Sequence, residues 1–248
     1  MKALSIDETL AEAYAIIGDI ESAEWNWQSA EENFKRAVGL NQNCATGHAI
    51  YAWYLCNTKR YGEALIEAKR AVELDPLWPM TKLIFSWALF CNHQYDNAIA
   101  QVNEVLSIDS TYGFAYVYLG DFYLFRKAYE KAIVQYQKAI ALGYSPAQIM
   151  VALIYAQTGD PMKAREILAN LKTEYMYTAL CALGYAALGE RDRAFEHLER
   201  AYQEHDQSLL IATSLPRGFD PNLDSLRADP RFHALVKKMG LEEIERRE

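Results

Sequence analysis

Ala30, Ala64, Ala98 and Ala132 stand 34 residues apart, and so do two further ladders, Ala37, Ala71, Val105 and Ala139, and Phe34, Ala68, Val102 and Tyr136. A fixed period of this length restricts the fold more than any composition could, because each period must repeat one supersecondary unit. The clearest copy runs from Gly113 to Tyr144. Tyr116, Leu119 and Tyr123 fall at helical spacing in its first half, and Ile133, Tyr136 and Ile140 in its second. Gly120, Ala132 and Ala139 supply small residues where two such helices approach. One hairpin of this kind buries one apolar face and leaves another uncovered. Copies must therefore stack, and the chain supplies them.

The period and the residues that carry it (Tyr116, Leu119, Gly120, Tyr123, Ala132, Tyr136 and Ala139, with Pro76 closing one unit) resemble the tetratricopeptide repeat, or TPR, a helix-turn-helix of 34 residues. The resemblance covers about nine-tenths of the chain. It implies an all-α, right-handed superhelical solenoid of about six hairpins with a C-terminal capping segment. The expected divisions are a partial hairpin over 1–10, repeats over 11–44, 45–78, 79–112, 113–144, 145–174 and 175–205, and a cap and tail over 206–248. Ala3 lies one period before Ala37, so the start reads as the end of a second helix whose partner lies upstream, as in a fragment of a longer protein. After Tyr144 the step shortens. Ala164 follows Ala132 by 32 residues and Ala194 follows Ala164 by 30, with the losses expected at Gly143–Pro146 and Asn170–Thr173. From Asp206 the pattern stops, the next stretch reads as turn-rich, and Arg231–Leu241 reads as a last short helix. The turn in the first repeat, SAEWNWQSA, carries Trp25 and Trp27 where small residues are usual.

Composition narrows function by exclusion. A hydrophobic share of 51% over 248 residues is enough for a folded core, and the formal net charge of −8 with no basic block opposes a nucleic-acid partner. No apolar run approaches the roughly 20 residues a membrane helix needs, and no signal peptide opens the chain, so the expected setting is cytoplasmic. The four cysteines, Cys44, Cys56, Cys91 and Cys181, lack metal-site spacing and read as free thiols. His197 and His205, eight apart on one predicted helix, are too distant to share a metal. Nucleotide-loop, nucleophile-elbow and zinc-protease signatures do not occur, and the Asp-Pro pairs at Asp75, Asp160, Asp220 and Asp229 read as turns and helix starts. The expectation is a protein that is not an enzyme and carries no cofactor or metal.

Recognition is the remaining class. By resemblance to the family, the second, fifth, sixth, ninth, twelfth and thirteenth places of each first helix face a concave groove. In repeats two to four these places include Trp53, Asn57, Trp87, Phe90, Phe114, Tyr118, Asp121 and Phe125. The basic and asparagine clamp that some relatives use for a terminal carboxylate is absent from all three sets. A row of aromatics instead suits an apolar peptide or an amphipathic helix. The runs WNWQSAEENFKRAVGLN and DPRFHALVKKMGL further resemble the C-terminal repeat regions of multidomain bacterial signalling proteins. The reading is a protein-interaction scaffold within a larger bacterial protein. The alternatives are a self-association module, through Trp25, Trp27 or the first helix, and a sensor of small molecules or lipids.

Overall fold

A computed structural model of the chain describes residues 10–171, 177–214, 224 and 226–242. Among them the regular structure is entirely helical. In order, α1 is Ala11–Ala23, α2 Trp27–Leu40, α3 Ala45–Asn57, α4 Tyr61–Leu74, α5 Pro79–Cys91 and α6 Tyr95–Ile108. Then follow α7 Gly113–Phe125, α8 Tyr129–Ala141, α9 Ala147–Gln157, α10 Pro161–Asn170, α11 Thr178–Ala187, α12 Arg191–Gln203, α13 Ser208–Ser214 and α14 Pro230–Lys238. The packing divides into two compact units, Met1–Ser110 and Thr111–Glu248. In the first, α1–α2, α3–α4 and α5–α6 are antiparallel hairpins, and α3 packs on both α1 and α5. In the second, α7–α8, α9–α10 and α11–α12 repeat the arrangement, α9 packs on α8 and α11, and α13 and α14 close against α11 and α12.

The ladders are the seams of these hairpins. Ala30, Ala64, Ala98 and Ala132 are fully buried, as are Phe34, Ala68, Val102 and Tyr136 to within 1%. Across each seam, 16 residues earlier in sequence, the first helix answers in volume. Gly18 faces Phe34 and Gly120 faces Tyr136, so that a Cβ on either glycine would lie within 2.9 Å of the opposing ring. At the same register Ala52 precedes Ala68, Ser86 precedes Val102, and Ala152 precedes Leu168, all of them buried. Where the second helix carries an aromatic ring, the first carries no side chain. Interiors packed to crystal density permit no other compensation at fixed helix spacing.

Each hairpin turns through one backbone device. Trp25, Lys59, His93 and Lys127 adopt left-handed φ values of 63°, 59°, 61° and 56°, and Gly159 and Gly189 stand at 91° and 74°. One residue further on, the N–H groups of Asn26, Arg60, Gln94, Ala128, Asp160 and Glu190 donate to the carbonyl five residues back, at 2.8 to 2.9 Å. This is the Schellman closure, which satisfies carbonyls left over at a helix C-terminus. The turn therefore demands a left-handed residue, and four of the six turns meet the demand with a side chain. A Cβ in that region costs roughly 1–2 kcal/mol. Replacing Lys127 by glycine should accordingly raise stability by about 0.5–1 kcal/mol after the entropy of the freer unfolded chain is subtracted. Equilibrium urea unfolding reads this directly, and a loss of stability would refute the strain.

Several expectations change or gain detail. His205 lies beyond the end of α12 in a left-handed turn at φ 51°, so it does not share a helix with His197. The stretch after Asp206 contains the helix α13, whose Leu209 and Ala212 are buried. Asp206 prepares its start: one carboxylate oxygen accepts from Ser208 N at 2.9 Å and the other from Ala179 N at 3.2 Å. The short last helix is α14, introduced by Pro230 and capped by Asp229. Asp75 and Asp160 likewise accept from backbone N–H groups of the turn or helix that follows. The partial hairpin over 1–10, apart from Leu10, and part of the Asn170–Thr173 connection lie outside the described residues, as does Asp220.

Candidate functional site

Two aromatic sets stand on the first helices of the hairpins, one in each unit. In the first unit α3 and α5 lie side by side, which brings Trp53 and Trp87 to a ring separation of 6.4 Å. Trp87 stacks on Phe90 at 5.8 Å, and Phe90 meets the edge of Tyr95 at 5.1 Å. Trp53 and Trp87 keep part of their surface in solvent, whereas Phe90 and Asn57 are buried. Within α5 the Trp87–Phe90 contact follows from 3.6 residues per turn, which places residues three and four apart on one face. Beside this set the Cys56 thiol, fully inside the protein, is hydrogen bonded with Cys91, and that contact together with burial holds its pKa well above the ordinary thiol value. All four cysteines are free.

In the second unit Phe114, Tyr118, Asp121 and Phe125 form one stripe along α7, at intervals of four, three and four residues. Phe114 is edge-on to Tyr118 at 5.3 Å and tilted against Tyr144 at 5.4 Å. Tyr144 in turn meets Tyr177 at 6.2 Å between rings, with its hydroxyl donating to the Tyr177 hydroxyl at 3.0 Å. Tyr118 is buried, and Phe114, Asp121, Phe125, Tyr144 and Tyr177 are partly open. Asp121 is the charged member of the stripe. Its Oδ1 accepts from the Tyr136 hydroxyl at 2.7 Å. Burial pushes its pKa up to about 7, and the tyrosine hydrogen bond opposes only part of that rise. The same burial, reinforced by the neighbouring carboxylate, holds the Tyr136 hydroxyl well above the ordinary tyrosine value.

Sequence reasoning placed Trp53, Asn57, Trp87, Phe90, Phe114, Tyr118, Asp121 and Phe125 together as a groove. The structure brings Trp53, Trp87 and Phe90 into contact in one unit, and Phe114, Tyr118 and Asp121 onto one helix face in the other. It adds Tyr95, Tyr136, Tyr144 and Tyr177, which that reasoning missed. Tyr136 was visible as the one ladder residue with a hydroxyl, 15 positions after an aspartate. Tyr144 occupies the register position of Pro76 and gave no such signal.

Among the described residues no three His, Cys, Asp or Glu side chains gather as a metal site would require. Nor is any described helix long and apolar enough to cross a membrane.

This succession of hairpins, with small residues at the seams and left-handed closing turns, is the architecture of a tetratricopeptide-repeat array. The comparison with solved structures agrees. The chain superposes on the type IV pilus biogenesis factor PilW with a TM-score of 0.58 at 19% identity, over 69% of this chain and 80% of that one. It is similar to PilF of Pseudomonas aeruginosa at a TM-score of 0.55 and 18% identity, over 82% and 95% of the two chains. A thermophilic TPR protein of Thermus thermophilus gives 0.55 at 21% identity, over 69% and 97%. No family model and no curated protein sequence matches the chain. At these identities the likeness shows the fold: tandem TPR-type hairpins.

Proposed function

We propose that this chain is a non-catalytic scaffold that binds an apolar peptide or amphipathic helix through the aromatic faces of its first helices, as the regulatory part of a larger bacterial protein. The observation that carries the reading is the Trp53–Trp87 pair. Two indoles on neighbouring helices remain partly in solvent although the seams beside them are packed to completion. Large rigid rings of this kind give contact area at small entropic cost and dominate binding energetics where they occur. An apolar helix presents side chains at three, four and seven residue intervals, which suits rings set one helical turn apart.

The test is selection from a displayed peptide library against the native chain and a Trp53→Ser, Trp87→Ser variant whose helicity matches by circular dichroism. Enriched peptides should carry apolar residues at helical spacing, and the variant should bind them at least about tenfold more weakly, equivalent to about 1.4 kcal/mol. A selection without consensus, or peptides that bind both chains equally, would remove the groove from consideration.

A further inference from the structure

The stripe on α7 holds a carboxylate in an unusual setting. Asp121 Oδ1 is taken by the Tyr136 hydroxyl, while Oδ2 accepts from no donor among the described residues. Among the described residues no lysine or arginine pairs with this carboxylate. Among the described residues the titratable groups that face it are the hydroxyls of Tyr136 on α8 and, more distantly, Tyr144 after α8. Repeat one offers the comparison. Asp19 follows Gly18 as Asp121 follows Gly120, yet the ring beneath is Phe34, which has no hydroxyl. In repeats two and three the ladder position is Ala68 and Val102. The tyrosine hydroxyl that orients the carboxylate therefore occurs, among these four repeats, only in repeat four, where the aspartate shares a helix face with Phe114 and Phe125. An acidic group on an aromatic stripe, oriented by one donor and, among the described residues, left without a counter-charge, is complementary to a cation. Aromatic faces attract cations, and a guanidinium can stack on a ring while donating to a carboxylate.

We propose that Phe114, Asp121, Phe125 and Tyr144 form a receptor for an arginine side chain carried by the bound polypeptide, with Asp121 Oδ2 accepting from its guanidinium. This inference rests on the scaffold reading above and specifies one contact of the partner. It also assigns a function to pH. The incoming cation needs the ionised carboxylate, so binding weakens about tenfold per pH unit below about 7.

The experiment is an NMR titration of the native chain with N-acetyl-arginine amide and, separately, with the citrulline analogue, which has the same shape and no charge. At about pH 8 the arginine compound should give saturable shifts at the Asp121 carboxyl and the Tyr144 ring, and citrulline at least about tenfold weaker ones. Asp121→Asn should abolish the arginine response. Tyr136→Phe, which copies the Phe34 side chain of repeat one, should keep the fold and move the pH midpoint of binding upward, because it removes the hydrogen bond that favours the ionised acid. The receptor is overturned by an arginine response absent up to the solubility limit, by one equal to that of citrulline, by one retained in Asp121→Asn, or by a midpoint unmoved in Tyr136→Phe. The peptide selection with the tryptophan variant stands apart from every one of these outcomes, so a failed receptor leaves the apolar groove to its own test.

Discussion

Gly120→Ala is expected to cost about 3 kcal/mol, the upper part of the range for overpacking a closed core. The added Cβ would lie 2.4, 2.6 and 2.8 Å from Cε1, Cδ1 and Cζ of Tyr136. Tyr136 cannot yield, because it is fully buried and its hydroxyl is held by Asp121. The intrinsic helix preference of alanine over glycine, about 1 kcal/mol, would act in the opposite direction at an open site and is overwhelmed here. The same change at Gly184 should cost far less, since its nearest neighbour is the tip of Leu168 at 3.0 Å, which can rotate. A double-mutant cycle separates the causes: in a Tyr136→Ala background the ring is gone, and Gly120→Ala should become neutral or stabilising. Urea unfolding of the four proteins measures this, and an equal cost in both backgrounds would show that the ring is not the reason.

Asp121→Asn should do the reverse, and only at the right pH. The folded-state pKa of Asp121 is raised to about 7, above the ordinary aspartate value near 3.8. Below about pH 4 the acid is protonated whether the chain is folded or not, and no penalty exists. As pH rises from about 4 to 7 the unfolded chain releases the proton and the folded chain resists, so stability falls and then levels. Three pH units correspond to about 4 kcal/mol as an upper limit. Asparagine cannot ionise and can still accept from Tyr136. The variant should match the native chain near pH 4 and exceed it by about 2–4 kcal/mol near pH 8. Denaturant midpoints at the two pH values decide the matter: a native chain as stable relative to the variant at high pH as at low would show that the carboxylate ionises freely. An acid whose ionisation costs stability in the folded chain would recover that cost on pairing with a cation.

Much of the fold was legible because the seams use one residue type at one interval. Alanine at 30, 64, 98 and 132 has no competing explanation, and burial at those positions is complete. The volume match of Gly120 with Tyr136 was also present as a small residue 16 positions before a large one. The rest depended on neighbours that a period cannot name. α13 has seven residues and begins through Asp206, which also holds Ala179 of another helix, so no local pattern announces it. Trp25 takes a left-handed conformation that its side chain does nothing to advertise. The candidate groove was legible as a list and less so as a surface. Trp53 and Trp87 share the ninth place of their helices and stay partly open, while Tyr118 is closed in by Phe114 and Phe122, one helical turn to either side. The Asp121–Tyr136 bond was legible only as a coincidence of register until both side chains were placed.

The pairing of a bare glycine with an aromatic ring also solves a sorting problem. A chain made of near-copies risks joining the wrong halves while it folds, and the resemblance of its parts is the hazard. Were α8 to dock on α3 or α5, Tyr136 would meet the side chain of Ala52 or Ser86 where it now meets none. Were α4 to dock on α7, Ala68 would leave a hole the size of a phenol ring over Gly120. Of the first helices in repeats one to four, only α1 and α7 can accept an aromatic partner, and each already has one adjacent in sequence. The seams thus carry an address as well as a bond, and it is written in volume.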